Sequence, residues 1–192
     1  MSVRVVQSGI GHTGTTPLAN LIHGLVAPDS PVKFGDKNIK NEIITKTHTA
    51  DVDKLMKMHP EYELYFVMAE RVDEKVNVRI NDKHRSYKNV LVIDYGEILE
   101  TPEWGVEDIA DNLFTKLFKF LPREIIPNPV AGSFRMATRL RNMNARYEEI
   151  KHKPFSYYDP FYHIHGSHRG RGDELLNIKL DMGEPMYKRR DE

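Results

Sequence analysis

No cysteine occurs in the chain, so disulfide bonds and thiolate chemistry are excluded, and the chain suits a reducing compartment. No apolar run approaches the ~20 residues that cross a bilayer. The first residues enter a strand-like stretch directly, without a basic n-region or a signal-like apolar segment, which reads as a cytoplasmic chain. Net charge is also missing: 28 Lys and Arg balance 28 Asp and Glu. A dedicated nucleic-acid binder would be basic overall, so that class is set aside. We find no internal repeat and no low-complexity segment. What remains is 192 residues, 40% hydrophobic and 29% charged, enough for one domain with a full core. The charge is uneven. Residues 97–124 hold seven acids and three bases, whereas residues 135–190 hold twelve bases and seven acids. A basic C-terminal third in a neutral chain suits a local anionic ligand.

Apolar clusters alternate with helix-like segments. Residues 3–7, 42–48, 62–70 and 89–95 read as strands. Residues 15–27 read as a helix with Pro17 tolerated in its first turn. Residues 49–60 read as a helix with Thr49 as N-cap and Pro60 beyond its end. A helix is also expected over 72–84. Apolar positions 106, 109, 113, 117 and 120 predict a helix over 105–121, and positions 134, 137, 140, 143, 147 and 150 predict another over 133–153. The Pro-rich stretch 122–132 reads as a connection. Strands alternating with helices predict a three-layer α/β domain with a mostly parallel central sheet.

Something is also lacking inside the first motif. "SGIGHTGTT" (8–16) lies between the first strand and the first helix. From Gly9 it reads G-x-x-x-x-G-T-T, where a nucleotide triphosphatase carries G-x-x-x-x-G-K-[ST]. Thr15 stands where the phosphate-gripping lysine would be. Gly9, Gly11 and Gly14 allow a tight turn whose N–H groups face one concavity, the following helix adds its positive end, and Thr15 and Thr16 add hydroxyls. The bland reading is a glycine-rich turn without a ligand.

"KTH" places Lys46 and His48 two apart at the end of the second strand, on one face of an extended chain. Ligands of parallel sheets gather at the carboxyl ends of strands. A cation beside an imidazole suits transfer of an anionic group, one neutralising charge and the other removing a proton. The bland reading is a solvated strand end. Arg71 and Arg79, eight apart in "ERVDEKVNVR", would meet an anion from two sides of a strand–helix turn, or simply pair with Glu70, Asp73 and Glu74.

These pieces, in this order, resemble the sulfotransferases that use 3'-phosphoadenylyl sulfate (PAPS). That family has a donor loop near K-S-G-T-T, similar to His12-Thr13-Gly14-Thr15-Thr16, then K-T-H, matched by Lys46-Thr47-His48. An arginine closing a strand follows, matched by Arg71. Then come a strand running into Y-E-D-L, similar to "VLVIDYGEIL" (90–99), and a helix ending in F-L-P, as in "LFKFLP" (117–122). A late basic loop, R-x-G-x-x-G-D-W, is similar to "HRGRGDELLN" (168–177). The departures are His12 for the loop lysine, no proline after Arg71, Arg79 for a serine and Glu174 for the final tryptophan. The chain is short for the family, which implies reduced acceptor-binding loops.

The resemblance implies one P-loop NTPase-like, sulfotransferase-type domain over 1–192, with the basic stretch 163–177 closing over the nucleotide. It implies sulfuryl transfer from PAPS to an acceptor hydroxyl of a glycan, a phenol or another alcohol, leaving the bisphosphate PAP, without a metal. His48 would be the general base, Lys46 the stabiliser of the transferring group, and His12 a partial substitute for the lysine. Gly11, His12, Thr13, Gly14, Thr15 and Thr16 would cradle the 5'-phosphosulfate. Arg71, Arg79, Arg169, Gly170 and Arg171 would hold the 3'-phosphate. Three other readings stand beside it. Asp94 ends a Walker-B-like run and with Thr16 would serve a P-loop kinase. A degenerate member would bind nucleotide without turnover. His163, His165 and His168 would ligate zinc. The arginines 135, 139, 141 and 146 read as a solvated helix face. The aromatic group at 155–163 reads as a seal for the core edge, with an acceptor pocket as the alternative.

Overall fold

A computed structural model describes residues 1–11, 13–73, 76–98 and 105–167. Four parallel strands form the centre: β1 (Ser2–Gly9), β2 (Ile44–Thr47), β3 (Tyr62–Val72) and, after the short β4 (Asn77–Val78), β5 (Val90–Asp94). Their order is β2-β1-β3-β5, with β4 antiparallel on the end of β3. β1 leads outward to β2, and the chain then crosses back to β3 on the other side of β1. The order therefore reverses at β1, and in parallel sheets such a switch point, outside the carboxyl ends of the strands, is where ligands bind.

The strands are apolar on both faces because helices cover both. Val3, Val5, Val67, Ala69 and Ile93 face α1 (Thr15–Val26), α4 (Val106–Phe120) and α5 (Gly132–Ile150). Val6, Phe66, Met68 and Val90 face α2 (Val52–Met58) and the 3-10 turn Asp36–Lys40. The molecule is thus a three-layer α/β structure with a mostly parallel sheet, as the alternation of elements predicts. α1 is buried nearly all round, wedged between sheet and α5. Gly24 permits this approach, since a Cβ there would lie 2.8 Å from Arg135 O and Met136 Cα. Arg135 then donates from Nε to Gly24 O and from Nη2 to Leu25 O, satisfying two carbonyls at the α1 C-terminus. No helix among the described residues is long and apolar enough to cross a membrane.

Three expectations are corrected. Among the described residues, the stretch 72–84 expected as one helix holds the end of β3, the strand β4 and the four-residue α3 (Asp82–Arg85). Val76, Val78 and Ile80 alternate with polar residues, a strand period, and Val78 and Ile80 are buried. Thr49 does not cap α2. Asp51 accepts from Lys54 N at 3.0 Å, and Thr49 Oγ1 donates to Asp36 instead. The arginine face of α5 is not wholly solvated, because Arg139 is buried. The connection 122–132 holds two 3-10 turns, Arg123–Ile125 and Pro129–Ala131. Beyond α5, β6 (Tyr158–Asp159) and β7 (Ile164–His165) make a small hairpin.

Candidate functional site

The glycine loop sits at this switch point, where β1 ends and α1 begins. Gly14 is the N-cap of α1 in the left-handed region, φ 77°. That conformation disfavours a side chain, and an added Cβ would also lie 2.9 Å from the Tyr95 ring. Among the described residues, no side chain caps the α1 N-terminus, and Pro17 contributes no N–H there. The helix start thus keeps its N–H groups and positive end for another partner. Thr13 spends its hydroxyl inside the loop, donating to Ile10 O at 2.7 Å. Thr15 is buried, its methyl packed at Gly9. Thr16 is half-buried at the first turn, and Gly11 is half-buried in the turn.

Lys46 reaches the same place from β2. Its Nζ donates to Thr16 Oγ1 at 3.0 Å and lies 5.5 Å from the centre of the Phe34 ring. Only 2% of the residue is exposed. Among the described residues no carboxylate forms an ion pair with it. Burial pulls its pKa down from 10.5 to about 7. Sequence spacing put Lys46 and His48 on one side, and the structure brings both to the loop. His48 Nδ1 lies 2.8 Å from Gly9 O. A carbonyl can only accept, so Nδ1 carries the hydrogen, and a neutral ring has its lone pair on Nε2. The Phe34 ring meets His48 edge-on at 5.1 Å.

On the other side of the loop, Arg71 ends β3 with its guanidinium 4.1 Å from the centre of the Tyr95 ring, and it pairs with Asp73. Tyr95 in turn packs on Gly14. Arg79 follows β4 and is exposed, on an antiparallel return and not on the expected helix. Asp94 accepts from Gly96 N at 2.8 Å and caps the 3-10 turn Tyr95–Glu97.

A wall of rings faces Lys46 and His48 across Phe34. His163 stacks on Phe34 at 4.9 Å, and its Nδ1 lies 2.7 Å from Tyr158 Oη. His163 holds a φ of 55°, uncommon for a side-chain-bearing residue. His165 stacks on Phe155 at 4.6 Å. Burial lowers its pKa, against the hydrogen bond to Phe155 O that raises it, and the charge of Lys46 lowers it a little further. The aromatic group is therefore divided: Tyr162 packs on the core, whereas Tyr158 is 40% exposed beside His163. His163 and His165 converge with no third ligand among the described residues; the one metal-like group there is Asp51, Asp53 and His84, where Asp53 already accepts from Lys83 and Tyr87. His12, His168, Arg169, Gly170 and Arg171 lie outside the described residues.

Phe34 and Tyr95 carry no site role in the sequence reading, whereas Tyr158 falls in the aromatic group 155–163, which has an acceptor pocket as its alternative. No motif marks Phe34, and only the fold brings it to Lys46 and His163. Compared with protein-family models, curated proteins and solved structures, the chain matches none of them. What the site does has to be read from its own residues.

Proposed function

We propose that the chain is a P-loop-type sulfotransferase that takes PAPS as donor and a hydroxyl compound as acceptor. The observation that carries this reading is Lys46, a buried cation without a carboxylate partner among the described residues, held on the first-turn hydroxyl of the helix after the glycine loop. Burying a charge costs several kcal/mol unless an opposite charge joins it. The uncapped N-terminus of α1 and the Thr16 hydroxyl converge on that cation, and all three favour an anion. On this reading the cation comes from β2 in place of the missing loop lysine.

A sulfuryl donor fits this set better than a nucleoside triphosphate. A transferring sulfuryl carries less negative charge than a γ-phosphoryl and needs less neutralisation than a lysine-plus-Mg²⁺ clamp. The two residues that would hold Mg²⁺ in the kinase reading are also engaged otherwise. Asp94 caps a turn, and Thr16 Oγ1 accepts from Lys46.

PAPS supplies an activated sulfuryl group on a 5'-phosphate. Lys46 would neutralise charge on that group as it moves, and the loop N–H groups would hold its oxygens. His48, anchored through Nδ1 to Gly9 O, would take the acceptor proton at Nε2. Arg71, over the Tyr95 ring, would meet the 3'-phosphate with Arg79, Arg169 and Arg171. His12 would add a second cation at the loop. Incubation with radiolabelled PAPS and a panel of glycans and small phenols tests the reading. Labelled product supports transfer; PAP binding without product on any acceptor favours the degenerate, non-catalytic member.

A further inference from the structure

We propose that Arg139 is a positioning residue that holds the ring wall of the site, Phe34 and His163, in register with Lys46 and His48. Arg139 lies in the middle of α5 and is 4% exposed. Among the described residues no carboxylate pairs with it. Its donors go to four neutral oxygens: Nε to Asn20 Oδ1 at 3.1 Å, Nη1 to Pro28 O at 2.7 Å, and Nη2 to Ser30 O and Phe161 O, both at 3.0 Å. The guanidinium plane also sits 4.2 Å from the centre of the Phe161 ring and 5.0 Å from that of Tyr162.

These acceptors belong to the three segments that carry the site. Asn20 is on α1, where its amide donates to Thr16 O at 3.0 Å and to Tyr162 O at 2.9 Å. Thr16 is the residue that receives Lys46. Pro28 and Ser30 belong to the strap that leads to Phe34, tied to the far segment by Val32 N donating to Phe161 O at 3.0 Å. Phe161 and Tyr162 immediately precede His163, whose left-handed backbone turns its ring onto Phe34. One planar cation with fork geometry therefore fixes the distance between helix start, strap and hairpin. Lysine cannot reproduce this, having one donor centre and no flat face. A stability role alone would not require that all four bonds end on the segments flanking the site.

The functional part of this inference rests on the proposed transfer reaction; the structural part does not. The test is Arg139→Lys, followed by NMR of the histidine side chains in the ligand-free protein and by calorimetry with PAP. The stacked Phe34 ring shifts the His163 ring protons upfield. In Arg139→Lys these resonances should move to ordinary imidazole positions, while those of His59, buried on the opposite face of the sheet, stay in place. PAP affinity should change less than about threefold. Turnover should fall about 10²-fold, the usual cost of an ångström-scale misplacement. If the variant does not fold, Phe161→Leu, which removes only the flat face over the guanidinium, should move the His163 signals in the same direction. Unchanged His163 resonances in a folded variant, or equal movement of His163 and His59, would overturn the proposal. If His163 moves while no variant, nor the parent protein, binds PAP, the clamp stands and the transfer reading fails.

Discussion

Replacing Lys46 by methionine should stabilise the ligand-free protein and weaken its binding of PAP. Methionine keeps most of the volume and removes the buried charge. The folded pKa of about 7 lies below the free value of 10.5. The unfolded chain therefore binds more protons than the folded one between those values, and stability rises with pH across that window. The penalty is fullest below pH 7, is about 4 kcal/mol at neutral pH, and vanishes above about pH 10.5. Urea unfolding at pH 7 should show Lys46→Met more stable by up to about 4 kcal/mol, an upper value because the Thr16 hydroxyl loses its donor. The difference should shrink by about 1.4 kcal/mol for each pH unit above 7. PAP binding should meanwhile weaken about 10- to 100-fold, the worth of a charge-assisted contact of ~1.5–3 kcal/mol. Stability gained as binding is lost marks a cation kept for a ligand. A variant that is less stable at pH 7 and binds PAP as before would show that the Lys46 amine is a structural group, and would refute this reasoning.

Three further outcomes are expected. PAP binding at pH 8 should take up close to one proton, as calorimetry in buffers of different ionisation enthalpy will show, because an anion restores the charge of Lys46; no uptake would separate Lys46 from the ligand. His48→Ala should lower kcat by roughly 10²–10⁴-fold with PAP affinity nearly unchanged, since a general base acts mainly in the transition state; weakened PAP binding with intact turnover would make His48 a ligand contact. Arg71→Ala should weaken PAP by ~1.5–3 kcal/mol while leaving an analogue without the 3'-phosphate nearly unaffected; equal loss for both would remove Arg71 from 3'-phosphate recognition.

The part of the site that is local in sequence was legible there. The run from β1 through the glycine loop into α1 declares itself by apolar residues, glycines and a first-turn proline. The two-residue spacing of Lys46 and His48 gives their common side, and β2 delivers it. The segment 76–80 misled because its charged neighbours hide a strand period in Val76, Val78 and Ile80. Arg139 was misread as surface, yet it stands three residues after Met136 and four before Met143, on the buried stripe of α5. A buried arginine on an apolar stripe can be suspected from spacing; its four acceptors cannot. Tyr95 meets the loop, and Phe34 meets Lys46 and His163, only through contacts between distant segments, which ties such as Val32 with Phe161 maintain. No window of sequence contains both partners of such a contact, so pattern reading has nothing to find.

Calorimetry of PAP against ATP in the presence of EDTA tests the central claim most directly. On the sulfotransferase reading Lys46, buried beside Thr16, supplies the positive charge for the anion, and no metal would be required. PAP should bind in EDTA, with ATP markedly weaker and unaided by added Mg²⁺. Binding that appears only with Mg²⁺, or a preference for ATP, would contradict the sulfotransferase reading and return Asp94 and Thr16 to the role of metal ligands in a kinase.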